Sequence, residues 1–331
     1  MSKYYDISGL LSHNKIMNFI IGQRGGGKTF SAKKWCINDF LKRGNEFVWV
    51  RRYKTEIKNL KQNFWNDIIH EGLFPNTEFS IKGNNLFINN KLCGYLVALS
   101  SYQNIKSSSF PKVTKIIFDE FVPENGRYLP GVNNEVEVFL NLMDTIIRDR
   151  ANCRAVLIAN NIQITNKYFE FFKIRGDQTK RFVQKDSCVI EFYANDEYAN
   201  ERLKTPFGQL INGTTYGDFS LHNQSLLDNP LFIQEKPKHA VFIYAILWRG
   251  IYFGIWKDAK QDVLYFSDKY DQYGLIISMT TDDHQPKMLY IKDFKNMSQI
   301  KTLRYAYSVG SLYFENQRVK RYFLDEILAY I

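Results

Sequence analysis

Short apolar runs alternate with segments of helical periodicity along the first half of the chain. The runs have the length of buried strands, which the pattern predicts at 16–21, 46–50, 115–118 and 155–159. Apolar residues at three- and four-residue spacing predict helices over 28–43, 55–71 and 134–149. Residues 78–98 favour short antiparallel strands instead, with turns at 83–85 and 89–90. The alternation predicts an α/β fold with a mostly parallel sheet covered by helices.

The pattern changes near residue 195. Residues 195–236 are polar, rich in Asn, Gly and Thr, and only weakly periodic. Beyond them the pattern predicts aromatic-rich strands at 240–248, 251–256, 262–267 and 275–280, and then helices over 296–308 and 317–330. Strands that precede helices in this way indicate a separate α+β domain. We therefore expect an α/β domain at 1–196, a linker or small hub at 197–230 and a smaller domain at 231–331.

Positive charge is concentrated in the first 200 of the 331 residues. There 28 Lys and Arg stand against 20 Asp and Glu, whereas the remainder holds 16 against 14. Clustered basic residues favour a polyanionic partner, because they release counterions from a phosphate backbone. The alternative is a merely basic soluble surface. Since the chain has neither an apolar leader nor an apolar run long enough to span a membrane, we expect a cytosolic protein without a membrane partner.

A phosphate-binding loop follows the first predicted strand. Eight residues match the pattern G-x-x-x-x-G-K-[ST]: Gly22, Gln23, Arg24, Gly25, Gly26, Gly27, Lys28 and Thr29. Glycines let backbone N–H groups surround phosphate oxygens at the N-terminus of the next helix. Lys28 is then expected to reach the β- and γ-phosphates, and Thr29 to bind Mg²⁺. The motif predicts a nucleoside triphosphate site.

Two further strand ends supply polar groups that an ATPase needs. The strand at 115–118 runs into Asp119, which suits Mg²⁺, and Glu120, which can orient or deprotonate an attacking water. A carboxylate in that place favours hydrolysis of ATP over transfer to a small acceptor. Asn160 ends the next strand, at the sheet edge where open α/β folds bind ligands, and is expected to sense the γ-phosphate or hold the water. The alternative for Asn160 is a turn-forming Asn pair.

Arg148 and Arg150 lie at the end of the helix predicted over 134–149. A helix C-terminus favours cations by its dipole alone, so a solvated arginine is one interpretation. The other is an arginine finger that one subunit delivers to its neighbour's ATP, where it stabilises the charge of the transition state.

Five motifs together resemble the DNA-packaging ATPases of φ29-type short-tailed phages. They are GxRGxGK[ST] at 22–29, VRRYK at 50–54, FDEF at 118–121, NLMDTxxRxR at 141–150 and KTxFGxLIxGT at 204–214. The resemblance implies a P-loop ATPase of the additional-strand, catalytic-glutamate class, which uses ATP and Mg²⁺. It further implies a homopentameric ring at the capsid portal that pumps double-stranded DNA into the prohead.

The matching positions carry over the family's site residues. The resemblance implies Walker A roles for Lys28 and Thr29, the Walker B role for Asp119 and the catalytic role for Glu120. Four basic residues also match family positions. Arg148 matches the trans-acting arginine finger and Lys106 a second trans-acting position. Lys54 matches a basic position near the pore, and Arg24 matches an arginine of the phosphate-binding loop.

The resemblance also bears on partners and on the second domain. Some φ29-type motors use a packaging RNA, and the motor would act in the host cytoplasm, bound to the prohead only during packaging. The C-terminal domain would have a ribonuclease-H-like nuclease fold without activity. The sequence agrees independently, because a two-metal nuclease needs converging carboxylates and the strand at 240–248 contains no acid.

Other functions share parts of this signature. They are another ring-forming P-loop nucleic-acid translocase or helicase, a small-molecule kinase, and a nucleotide-gated assembly protein. DNA-stimulated ATPase activity separates them, because a translocase requires it, a kinase requires an acceptor and a gate turns over negligibly.

Overall fold

The computed structural model describes residues 4–106, 108–123, 128–129, 135–161, 166–174, 180–221, 232–292, 298–328 and 330–331. The chain divides into two compact units, Met1–Leu227 and Asp228–Ile331. Within the described ranges, no helix is both long and apolar enough to cross a membrane.

A nine-stranded sheet organises the first unit. Its strands are β1 Met17–Gly22, β2 Glu46–Arg51, β3 Phe79–Lys82, β4 Asn85–Ile88, β5 Lys91–Ala98, β6 Val113–Asp119, β7 Arg154–Asn160, β8 Phe182–Lys185 and β9 Cys188–Tyr193. Their order is β3-β4-β5-β2-β6-β7-β1-β9-β8. The strands from β5 to β9 in that order run parallel, and β3, β4 and β8 add antiparallel edges. The α/β class and the mostly parallel sheet are as expected.

Helices cover this sheet. They are α1 Ser8–Leu11, α2 Lys28–Arg43, α3 Lys54–Asn63, α4 Asn66–His70, α5 Glu135–Ile147, α6 Lys167–Phe171, α7 Asp196–Leu203, α8 Pro206–Ile211 and α9 Thr215–Ser220, with a 3₁₀ segment at Leu99–Ile105. The central strands are buried on both faces: in β1, Phe19 packs into one core and Ile20 into the other. A sheet enclosed in this way leaves the carboxyl edge of its parallel strands as the place for a site.

Three predicted segments differ from the structure. The helix expected at 55–71 is two helices, α3 and α4, which are separated at the buried residues Phe64 and Trp65. Residues 161–194, for which the pattern predicted no element, contain α6, β8 and β9. The expected linker at 197–230 includes α8, α9 and most of α7, and its residues 222–230 lie outside the described ranges.

The second unit is a mixed sheet with helices on one face. It contains β10 Val241–Trp248, β11 Ile251–Asp258, β12 Val263–Ser267, β13 Ile276–Ser278, β14 Leu289–Tyr290, β15 Leu312–Phe314, α10 Ser298–Ser308 and α11 Gln317–Tyr322, which continues as a π-helical turn at Phe323–Ile327. The strand order is β14-β13-β10-β11-β12-β15. Aromatic strand residues such as Tyr244 and Phe266 pack with Leu303 and Phe323 from the helices. The predicted strands and helices are confirmed here with small shifts of their ends, although residues 296–297 and 329 lie outside the described ranges. Strands β14 and β15 were not predicted.

Candidate active site

Glycines hold the loop between β1 and α2 in a narrow shape. Gly25 and Gly27 have φ angles of 80° and 83°, in the left-handed region that favours glycine. A Cβ atom on Gly22 would lie 2.2 Å from the backbone oxygen of Tyr193, and one on Gly25 would lie 2.3 Å from the Tyr198 hydroxyl. A larger residue at Gly22 would have to displace the backbone of β9, whereas one at Gly25 would have to move the Tyr198 side chain and adopt a strained left-handed conformation. The backbone angles and these close contacts therefore both demand glycine.

Lys28 begins α2, and its ammonium group lies inside the loop. Nζ donates to the backbone oxygens of Gly22 at 2.9 Å and Gln23 at 2.6 Å, and to Oδ1 of Asn160 at 3.3 Å. Burial lowers the pKa of Lys28 to about 7, although the charge of Asp119 opposes the shift. A phosphate group at this position would favour the charged ammonium and would compete with the loop oxygens for it.

Thr29 and Asp119, which the sequence predicts to bind Mg²⁺, lie next to each other. The Thr29 hydroxyl donates to Oδ1 of Asp119 at 3.1 Å, and Asp119 is the last residue of β6. A hydroxyl and a carboxylate are the hard oxygen donors that Mg²⁺ uses beside phosphate groups. Their separation and position next to Lys28 therefore fit a Mg²⁺ ion bound together with a triphosphate.

Glu120 follows β6 in a left-handed conformation, with φ of 61°. Its carboxylate is about half exposed and pairs with Nη2 of Arg51 at 2.6 Å, while Nη1 of Arg51 lies 3.3 Å from Asp119. Burial lowers the pKa of Arg51, but the neighbouring carboxylates outweigh it, so the pKa is raised overall. Sequence reasoning gave Arg51 no role, although it lies within the VRRYK motif that carries the resemblance.

Arg52 supports the backbone on which Glu120 stands. It donates to the backbone oxygens of Glu120 at 3.0 Å and Phe121 at 2.7 Å. Glu135, at the start of α5, accepts from Nε and Nη2 of Arg52 at 2.8 Å and 3.0 Å. Both side chains are buried, and hydrogen bonding to Glu135 outweighs the lowering effect of burial and raises the pKa of Arg52. This buried pair fixes the turn that directs the Glu120 carboxylate.

Gln23 and Asn160 connect the loop to other elements. Asn160 ends β7 and contacts Lys28, as described above. The Gln23 side chain is buried away from the loop, where it donates to the backbone oxygen of Leu221 at 2.8 Å and accepts from the backbone N–H of Asn195 at 3.3 Å. Gln23 therefore ties the loop to the residues that flank α7 to α9.

Several of the residues described above line one cleft with a volume of about 270 Å³. Most of the predicted nucleotide-binding and catalytic residues line it: Gly25, Gly26, Gly27, Lys28, Thr29, Asp119, Glu120 and Asn160. Phe30 and Asp67 also line it, and sequence reasoning did not single them out. The arrangement places a lysine, a hydroxyl paired with a carboxylate and a separate carboxylate where a triphosphate could bind and a water could be directed at its end.

Arg148 and Arg150 lie away from this cleft. The helix expected to end at residue 149 ends at Ile147, and Arg148 follows it with φ of 49°. The Arg148 guanidinium is exposed and donates to the backbone oxygen of Ser108 at 3.4 Å. Arg150 is less exposed and donates to several backbone oxygens, including that of Pro111 at 3.0 Å. Of the two, Arg148 is the one that presents its charge to solvent.

The remaining predicted basic residues are also at the surface. Lys54 begins α3 and is exposed. Lys106 follows the 3₁₀ segment, with Nζ 5.2 Å from the ring centre of Tyr102. Arg24 is an exposed residue of the loop. None of the three lines the cleft within the part of the chain that is described.

Comparison with known proteins identifies the family. The family of podovirus DNA encapsidation proteins (Gp16) matches residues 1–328. The chain is 40% identical over 314 residues to the DNA packaging protein of Bacillus phage B103, with 94% of this chain and 96% of that protein covered. It is 38% identical over 322 residues to the DNA packaging protein of Bacillus phage phi29, with 96% and 95% covered.

Solved structures agree with these relatives. A chain of the bacteriophage Phi-29 viral genome packaging motor assembly is similar with a TM-score of 0.80 at 38% identity, and 97% of each chain is covered. The N-terminal domain of the DNA packaging ATPase from bacteriophage phi29 is similar with a TM-score of 0.55 at 39% identity, covering 60% of this chain and 100% of that domain. The resemblance expected from the motifs is confirmed: the chain belongs to the podovirus DNA encapsidation protein (Gp16) family.

Proposed function

We propose that this protein hydrolyses ATP to drive double-stranded DNA into a phage prohead. One observation carries the proposal: the Thr29–Asp119 pair, at 3.1 Å, lies in the same cleft as Lys28 and Glu120. That cleft therefore combines a triphosphate-binding lysine, a Mg²⁺ site and a carboxylate for water, which are the parts that ATP hydrolysis needs. Relatives described as DNA packaging proteins, similar over nearly the whole chain, support the coupling to packaging.

Each residue of the cleft has a distinct task in this proposal. The loop N–H groups and Lys28 bind and orient the phosphates, and Thr29 and Asp119 would hold Mg²⁺, which neutralises charge on the β- and γ-phosphates when bound. Glu120 orients the attacking water or takes its proton, and Asn160 helps to hold the γ-phosphate or that water. Arg51 pairs with Oε2 of Glu120 at 2.6 Å, and a carboxylate that is paired in this way can still accept further hydrogen bonds, including one from a water molecule.

We further propose that ATP turnover belongs to a ring, with Arg148 reaching the neighbouring subunit's ATP. Its exposure and its position outside its own cleft support a role in trans. Lys106 is the second candidate for such a role, and Lys54 is the candidate for contact with DNA near the pore. The ring would be a homopentamer at the prohead portal in the host cytoplasm. A packaging RNA is a further partner in some φ29-type motors.

The second unit is proposed to be a nuclease-like domain without activity. In support, β10 to β12 form an antiparallel meander, and β13 and β14 continue the sheet in parallel from β10, which is compatible with a ribonuclease-H-like sheet. The central strand β10 carries no acidic residue that could begin a two-metal site.

The test is ATP hydrolysis by the full chain with and without proheads and double-stranded DNA. We expect DNA and proheads to stimulate hydrolysis, and DNA to become protected from added nuclease only when ATP is present. Lys28→Ala serves as the control that lacks the phosphate-binding ammonium and should do neither. Phosphate transfer to a small acceptor, or negligible turnover under all conditions, would contradict the proposal in favour of a kinase or of a nucleotide-gated assembly protein.

A further inference from the structure

We propose that an apolar pocket beside the phosphate cleft holds the nucleobase, and that Asp67 binds the ribose hydroxyls. The inference rests on the proposed ATPase function and extends it to residues outside the phosphate-binding motifs. The pocket has a volume of about 230 Å³ and is lined by Tyr4, Gly27, Phe30, Asp67, His70 and Glu71.

The pocket continues the phosphate cleft. Gly27, Phe30 and Asp67 line both spaces, so a ligand whose phosphates bind at Lys28 can extend into the pocket past these three residues. The two volumes, about 270 Å³ and about 230 Å³, together fall within the usual range for pockets that take a complete small ligand. Phe30 immediately follows the motif residue Thr29.

Two aromatic rings give the pocket its apolar character. The ring centres of Tyr4 and Phe30 lie 6.3 Å apart with their planes tilted by 54°. Tyr4 is 37% exposed, so its ring leaves surface that a ligand could cover. A planar base can stack on such a ring, and base–aromatic stacking contributes substantially to affinity wherever nucleotides bind to aromatic side chains.

The position of Tyr4 is built into the fold. The next residue, Tyr5, donates its backbone N–H to the Gly26 oxygen at 2.9 Å and its hydroxyl to the buried Glu191 at 2.6 Å. A Cβ atom on Gly27 would lie 2.9 Å from Cβ of Tyr4, so the N-terminal segment fits closely against the phosphate loop. The aromatic wall is therefore held in place by the same loop that would bind the phosphates.

Asp67 lies where the two spaces meet and has the chemistry of a ribose ligand. Lys33 is buried, and its Nζ donates to both carboxylate oxygens of Asp67 at 2.9 Å, which fixes their orientation. A carboxylate accepts up to about four hydrogen bonds, so these oxygens can still accept from hydroxyl groups. Its negative charge disfavours a phosphate at this point but suits ribose hydroxyls, which acidic side chains bind in other nucleotide sites.

The test compares ATP with inorganic tripolyphosphate, which has the phosphates but no base or sugar. Affinities of the full chain for both ligands would be measured by calorimetry in the presence of Mg²⁺. Tyr4→Ala and Phe30→Ala should weaken ATP binding by between about 5-fold and about 150-fold, the range that stacking of one base provides. Tripolyphosphate binding should stay within about 2-fold of wild type, and Tyr4→Phe, which keeps the ring, should bind ATP normally. Tyr273→Ala, at an aromatic residue that is 89% exposed in the second unit, is the matched control and should change neither affinity.

The ribose contact has its own comparison. The wild type should bind ATP about tenfold more tightly than 2′,3′-dideoxy-ATP, because a hydrogen bond to a charged group is lost. Asp67→Ala, which removes the acceptor, should reduce that preference to about 2-fold or less. An equal preference in the wild type and in Asp67→Ala would overturn the assignment of Asp67.

Each other outcome also decides the matter. Unchanged ATP affinity in Tyr4→Ala and Phe30→Ala would overturn the proposal that the pocket holds the base. If these variants instead lose self-association, the pocket would be assigned to contact with a neighbouring copy of this chain. Equal losses for ATP and tripolyphosphate would mean that Tyr4 and Phe30 only support the loop, which also contradicts the proposal. If the wild type binds neither ligand, it is the proposed ATPase function that fails.

Discussion

The buried pair of Arg52 and Glu135 provides a test of how the site is built. Replacing the carboxylate in Glu135→Leu removes its two bonds to Arg52 and the bonds that Tyr168 and the backbone N–H of Leu129 donate to it at 3.0 Å and 2.8 Å. Arg52 is only 3% exposed, so its charge would stay buried without its partner. Breaking a buried pair in this way costs about 3–5 kcal/mol.

That energy should be visible as a lower melting temperature of the first unit. For a unit of this size, each kcal/mol lowers Tm by about 2–4 °C, so we expect a decrease of about 6–20 °C in thermal unfolding followed by circular dichroism. Lys257→Met breaks an ion pair between side chains that are 48% and 85% exposed and should change stability by less than about 1 kcal/mol.

The double variant Arg52→Met with Glu135→Leu separates stability from function. Apolar residues of similar size can replace a buried ion pair at little cost, so the double variant should recover much of the lost stability. ATP turnover should stay low, because Arg52 then no longer donates to the backbone oxygens of Glu120 and Phe121. Single variants that melt like the Lys257→Met control, or a double variant with wild-type turnover, would refute this account.

Three further predictions concern the loop and the ring. Burial lowers the pKa of Lys28 to about 7, whereas the pKa of an unfolded lysine is about 10.4, so the stability of the free protein should rise as the pH increases between these two values. Over the same pH range ATP affinity should fall by up to about tenfold per pH unit, because ATP favours the charged ammonium. Calorimetry in buffers of different ionisation enthalpy should show proton uptake on ATP binding at pH 8, and its absence would contradict a lowered pKa. Gly22→Ala should lose nucleotide binding, because its Cβ would lie 2.2 Å from the Tyr193 oxygen, whereas Gly9→Ala, whose nearest neighbour is at 3.8 Å, should bind normally; equal affinities would show that the loop tolerates the clash. Arg148→Ala mixed with Lys28→Ala should regain part of the ATPase activity that each lacks alone, and mixed rings that stay inactive would argue against a finger in trans.

Local chemistry explains which parts of the first unit could be predicted. The strand before the loop and the helix from Lys28 to Arg43 follow from short-range signals, and the helix ends as expected at Arg43, before Gly44 with its φ of 71°. The sequence also places Asp119 and Asn160 at strand ends, and parallel strands bring both to one edge of the sheet. The four cysteines, Cys36, Cys93, Cys153 and Cys188, are free and buried, as their wide spacing without a C-x-x-C pair indicates.

Features that depend on distant contacts could not be predicted. Strand β9 contains Glu191, which looks unsuited to a buried strand until Tyr5 and Arg181 are seen to bind it. The ion pairs of Arg51 with Asp119 and Glu120, and of Arg52 with Glu135, join positions more than sixty residues apart, and no periodicity indicates them. Nor does the sequence indicate that Tyr4 lies against the phosphate loop. Such side-chain partners are fixed by tertiary packing, which the local pattern does not contain.

The most direct test of the central claim is the hydrolysis rate of Glu120→Gln. The amide keeps the shape and hydrogen bonding of the side chain but cannot take a proton, and Asp119 and Thr29 remain available for the metal. We expect ATP affinity within a few-fold of wild type and DNA-stimulated turnover reduced by about 10²-fold or more. A variant that binds ATP and hydrolyses it at nearly the wild-type rate would remove Glu120 from the mechanism and contradict the account of this cleft.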